Sequence, residues 1–144
     1  MSIDQSQKLG EFDLRLKSLA RRVPFDAVNL LDSIHELPRD LFDAGMLRAE
    51  LDSFSKLMEF DLEYEESRLS MEIREKMTLE GNKTTEKIIR EKVISEPSYQ
   101  ALFKLSLEAG LLLKECQSIV YGLNQKQSSI HEHLKLVERE LMAS

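Results

Sequence analysis

Three groups of residues carry side chains that could do chemistry: His131-Glu132-His133 as metal ligands, Asp61, Glu63, Glu65 and Glu66 as acid–base carboxylates, and Gly81-Asn82-Lys83-Thr84-Thr85 as the end of a phosphate loop. Each fails on spacing or context. Residues two apart on a helix point about 200° apart, so the two histidines cannot share an ion. Asp32-x-x-His35 occurs once, whereas di-iron bundles need Glu-x-x-His from two helices. The carboxylates sit in an acidic run with no paired base or nucleophile. The glycine loop lacks a second Gly four residues further back and follows a helical pattern, not a strand. Cys116 is the sole cysteine, which excludes an internal disulfide framework and a Cys-based zinc site. It falls at a helical core position, as an inert buried thiol does. The sequence therefore predicts no catalytic residue, no metal site and no cofactor, and hence no enzyme.

One cluster remains open. Arg74, Lys76, Lys83, Lys87, Arg90 and Lys92 surround a predicted turn between helices, interleaved with Glu72, Glu75, Glu80, Glu86 and Glu91. Read as ion pairs, they form an ordinary solvated surface. Read as a phosphate-binding tip, they gain effect when several subunits present them together. The chain as a whole has a net charge of −6, and the acid is concentrated in one stretch: residues 26 to 66 hold twelve acids against three bases, for −9. Residues 67 to 95 are +2, from seven bases against five acids. A generally basic nucleic-acid binder is excluded, and a local basic patch is not.

The elements that hold these residues are helical. With 144 residues, 42% hydrophobic and 32% charged, and only five Gly and three Pro, the chain suits one helical domain better than a turn-rich sandwich or barrel. From Tyr99 to Leu141, alternating steps of three and four pass through Leu102, Ala109, Leu113, Cys116, Val120, Leu123, Ile130, Leu134 and Val137, a heptad stripe. Ser95-Glu96-Pro97 starts that helix, which is predicted over 96–142, with Ser95 accepting backbone N–H groups. Leu47, Leu51, Phe54, Met58, Leu62, Leu69, Ile73 and Met77 mark a first long helix over about 40–80, stopped by Gly81-Asn82. Thr84 caps a short elbow helix over 85–95 carrying Ile88, Ile89 and Val93. Pro24 and Pro38 are predicted boundaries of short N-terminal helices within 1–38; Phe12 to Lys17 alternates like a strand, while Leu9, Phe12, Leu16 and Leu19 step like a helix, the reading favoured here. The expected fold is all-α: a long antiparallel helical hairpin with a short elbow. The heptad stripe is longer than the helix available to cover it, so Leu113, Val120, Leu123, Ile130, Leu134 and Val137 are predicted to form an oligomer interface. No apolar run is long enough for a membrane span and no secretory leader is evident, so a cytoplasmic protein is expected.

The residues opening and closing the last helix resemble a known family. Glu96-Pro97-Ser98-Tyr99, the heptads, and Leu123-Asn124-Gln125-Lys126 followed by Ile130 and Leu134 are similar to the UvsY-type recombination mediators of tailed bacteriophages. That family has Asp-Pro-x-Tyr at the opening and Asn-Asn-Arg-Gly-Phe-x-Ile-Lys near the end. Lys126 stands where the family's Arg stands and His131 where its Lys stands, while Gln127-Ser128 replaces its Gly-Phe. Phe25 to Leu30 and Glu36-Leu37-Pro38 are weaker echoes, and the similarity spans roughly residues 24 to 136. The resemblance implies a helical homo-oligomer that binds single-stranded DNA and helps a RecA-like recombinase displace single-strand binding protein, in the host cytoplasm if phage-encoded. It implies DNA contacts near the end of the first long helix, where Arg74 and Lys76 lie, and at Lys126. Lys83, Lys87 and Arg90 join them as candidates from the elbow. The runner-up is a structural helical adaptor or assembly protein without nucleic-acid binding.

Overall fold

The computed structural model describes residues 3–143, and the described residues are all helical apart from turns. Four α-helices follow one another: α1 (Ile3–Ala20), α2 (Leu30–Leu79), α3 (Glu86–Ser95) and α4 (Pro97–Ala143), with a single 3-10 turn at Ala27–Asn29 before α2. The long pair is α2 and α4. The chain packs as two compact units, one built from 52–111 with the start of α1, the other from Gly10–Leu51 with the remainder of α4.

In the second, three-helix unit, the buried residues keep the 3–4 spacing on all three helices. Phe12, Leu16 and Leu19 come from α1, and Cys116, Leu123 and Ile130 from α4. On α2, Ser33, Leu37, Asp40, Ala44, Leu47 and Leu51 form one continuous alternation, the geometry in which each side chain fits between four of a neighbouring helix. Within this unit α2 and α4 run antiparallel. The Cys116 Sγ lies 3.8 Å from the Ala44 carbonyl oxygen, while Ile34 to Leu41 share a groove with Gln127 to Leu134.

The first long helix starts ten residues before the predicted position, and Pro38 lies inside it. Proline lacks the N–H that would bond the Ile34 carbonyl and is unfavourable there. The flanking turns are nevertheless held, because Leu37 and Asp40 on either side of it are buried. The predicted separate short helix before Pro38 is therefore the first part of α2.

On α4 one heptad column is as predicted from Ala109 to Ile130, and the other is displaced by one residue. Ala109, Cys116, Leu123 and Ile130 are buried, but the accompanying column is Leu105, Leu112, Ile119, Lys126 and His133, all buried or half-buried. Gln127, at a predicted core position, is exposed. Gly122 permits a close approach: a Cβ there would stand 2.7 Å from the Val23 Cγ1. Gly110 has nothing within 4 Å of such a Cβ, so Gly122, and not Gly110, is a close-packing point on α4.

In the elbow unit, α2 ends in the manner that Gly81-Asn82 predicts. Gly81 takes φ +72, its N–H donates to Thr78 O, and the Asn82 N–H donates to Met77 O, the paired bonds of a Schellman cap. The cap of α3 is Thr85, one residue later than predicted: Thr85 is extended and its Oγ1 accepts from the Ile88 N–H at 3.3 Å. Ser95 does not cap α4. Its hydroxyl donates back to Glu91 O, and Glu96 takes the capping position, its carbonyl accepting from Gln100 N–H, with Pro97 first in the helix. Leu69, Ile89 and Val93 form a small core with Ile73 and Tyr99 against it.

Candidate functional site

The candidate cations around the elbow divide into four environments. Arg74 is ion-paired: its Nη2 donates to Glu86 Oε1, both side chains being exposed. Lys76 and Lys92 border one side of α3, in a groove of about 520 Å³ that also holds Glu80, Glu91 and Glu96. Lys87 and Arg90, one turn apart, border the other side with Glu66 and Glu86. Lys83 lies in the turn ahead of the Thr85 cap and not on the helix, since α3 begins at Glu86. Lys76, Lys83, Lys87, Arg90 and Lys92 are all exposed and make no ion pair with the described residues.

The two sides differ in charge. The Lys76–Lys92 groove has three carboxylates against two ammonium groups. On the Lys87–Arg90 side, one of the two carboxylates, Glu86, is already neutralised by Arg74. That side is therefore the more favourable to an anion. Tyr99 and Phe103 stack with centroids 6.2 Å apart and planes 22° apart. Tyr99 packs on the small core beneath α3, and Phe103 remains half exposed. Tyr99 and Phe103 stand four residues apart, one turn of α4, so their adjacency follows from the helix itself.

Lys126 is not a surface cation. It is 7% exposed, and its Nζ donates to the Arg22 carbonyl at 2.7 Å. It occupies the displaced seam column, where its position on α4 turns it inward. Arg22 in turn reaches Asp40 and Asp43, with Nη1 3.1 Å from Asp40 Oδ1 and 3.2 Å from Asp43 Oδ2. Asp40 is fully buried, and its Oδ2 has no hydrogen-bond partner among the described residues. These groups tie the α1–α2 connection to both long helices, a role that distance along the sequence conceals.

The predicted oligomer residues also divide. Leu123 and Ile130 are buried within the chain, Leu113 and Val120 are half-buried, and Leu134 and Val137 are exposed. Leu123 and Ile130 are thus unavailable to another subunit. The earlier start of α2 places Leu37 beside Ile130 in one groove, covering a stretch of α4 that a helix starting near residue 40 would leave bare. Apolar surface continues at Leu134, Val137 and Leu141.

His131 borders the groove at Pro38, whereas His133 meets the Phe25 ring edge-on at 6.3 Å, so the two histidines face different surroundings. Burial raises the pKa of the Cys116 thiol, partly opposed by Arg48 and Arg15. Glu65 is held below the usual carboxylate range chiefly by its hydrogen bond from Arg68, against desolvation, with the Ser98 hydroxyl also donating to it. Among the described residues no helix is long and apolar enough to cross a membrane. Comparison with protein-family models, curated proteins and solved structures gives no match to this chain.

Proposed function

We propose that this protein is a non-enzymatic recombination mediator that binds single-stranded DNA as an oligomer through its elbow and helps load a RecA-like recombinase against single-strand binding protein. The observation that carries the DNA part is the set of exposed cations without ion pairs around α3, in a chain whose net charge is −6. The mediator role rests on the resemblance to UvsY-type proteins. Lys83, Lys87 and Arg90 are the main contacts, with Arg74 neutralising Glu86 behind them. Lys76 lies on the less favourable side. Subunits associate through Leu134 and Val137, exposed apolar residues in the last part of α4. Each subunit offers few phosphate contacts, so binding depends on several elbows acting together.

A second reading, a structural helical adaptor without nucleic-acid binding, is favoured by the burial of Lys126, which removes one predicted contact. Fluorescence anisotropy with a labelled oligothymidylate across a salt series separates the two. A mediator binds with a log K against log salt slope of about −0.7 per phosphate contact. The Lys83/Lys87/Arg90 triple alanine then lowers the slope magnitude by about 2, while Lys76→Ala changes it less. No binding by an intact oligomer selects the adaptor. Leu134→Asp should lower the mass seen by light scattering, because a carboxylate in a buried contact is costly.

A further inference from the structure

The outward face of α2 in the elbow unit carries two features that neither the fold nor the DNA reading uses. Ser53, Leu57, Phe60, Tyr64, Ser67 and Met71 follow steps of four and three without a break, and so lie in one row roughly on the far side of the helix from Met58 and Leu69. All six are exposed, and Phe60, Tyr64 and Met71 keep 64%, 65% and 64% of their surface. A row at this spacing is what a second helix packs against, and four large apolar side chains in it exceed the scattered exposure of an ordinary surface.

The charge around the row says what kind of helix fits. Residues 52 to 72 hold seven acids and two bases, for −5. Both bases are already engaged, Lys56 with Asp52 and Arg68 with Glu65 and Glu72. Asp61 accepts from the Gln5 side chain at 3.4 Å. Glu59, Glu63 and Glu66 are exposed and have no ion pair with the described residues. Glu66 also borders the Lys87–Arg90 groove; Glu63 edges the row between Phe60 and Ser67, and Glu59 lies one turn before Glu63 on the same side of the helix. A second copy offering the same face would set −5 against −5, and like charges oppose such a contact.

We infer that this face of α2 docks an amphipathic helix of another protein, apolar along one side and edged with Lys or Arg. Apolar anchors at one-turn spacing supply the contact, as in other helix-in-groove recognition, and the acids select the partner's charge and speed its approach. This does not depend on DNA binding at the elbow.

The test uses the full chain and a fluorescein-labelled synthetic peptide with Leu at the a and d heptad positions and Lys at e and g. Controls are a scrambled peptide of the same composition and a peptide with Glu in place of Lys. Anisotropy should show binding to the amphipathic Lys peptide that weakens with salt, and much weaker binding of both controls. Phe60→Ser with Tyr64→Ser should lower affinity about tenfold at every salt concentration. Glu59→Gln with Glu63→Gln should lower it several-fold at low salt only. Because all four side chains are exposed, helicity by circular dichroism should be unchanged. The inference is overturned if the wild type does not bind, if the scrambled peptide binds equally, or if the variants bind like the wild type. It is also overturned if the serine variant lowers the mass of the protein alone, which would make the face a contact between copies.

Discussion

The three-helix unit and the elbow unit treat charge in opposite ways. In the first, Asp40, Arg22 and Lys126 are drawn inward and bonded to one another or to backbone. In the second, Lys76, Lys83, Lys87, Arg90 and Lys92 remain exposed around a ten-residue helix. A charge near a regular seam acts on stability, because its removal strands a buried partner. A charge on a short surface helix acts on what approaches from solution. Sequence position does not distinguish them; the number of helices packed around each does.

The largest effect should come from breaking the inward set. Arg22→Ala leaves the buried Asp40 carboxylate with only the more distant Arg39, whose Nε stands 4.0 Å from Oδ1, and should cost about 3 kcal/mol, seen as a lower midpoint in urea by circular dichroism. The Lys87→Ala and Arg90→Ala changes, by contrast, should each stay within about 0.5 kcal/mol. Equal losses would remove the distinction between the units.

The two glycines of α4 sharpen it at a smaller scale. Gly122→Ala drives a methyl into Val23 at 2.7 Å, and overpacking of this kind costs about 1 to 3 kcal/mol, against which better helix propensity returns about 1. A net loss is expected, and Val23→Ala in the same chain should recover part of it. Gly110→Ala meets open space and should stabilise by about 1 kcal/mol. Thermal melts of the two variants should move in opposite directions.

The smallest effect concerns Glu65, which links α2 to Ser98 on α4 within the elbow unit. Its folded pKa is depressed, so its stabilising contribution is present above the ordinary carboxylate range and is lost as pH falls through the lower folded value. Glu65→Gln should remove that component of the acid transition, and urea midpoints of the two proteins should converge at low pH. A parallel offset at all pH values would show that packing, not ionisation, is what Glu65 supplies.

Much of the architecture follows from local signals. Gly81-Asn82 stops α2 because glycine takes positive φ without strain, Pro97 opens α4, and the columns through Leu16, Leu51 and Cys116 are visible as 3–4 spacing. These depend on neighbours within one or two turns. Tertiary packing decided the rest. Pro38 remains in a helix because the residues around it are buried, against its intrinsic preference. Lys126 faces inward because it continues the column of Leu105, Leu112 and Ile119, which the sequence does not single out, since Leu112 and Leu113, and Ile119 and Val120, are all apolar. Only the neighbouring helices choose, by the volume and partners they offer. The pairing of Arg74 with Glu86 and the separation of Lys76 from Lys87 likewise depend on how α3 lies against α2, since charge count alone carries no direction.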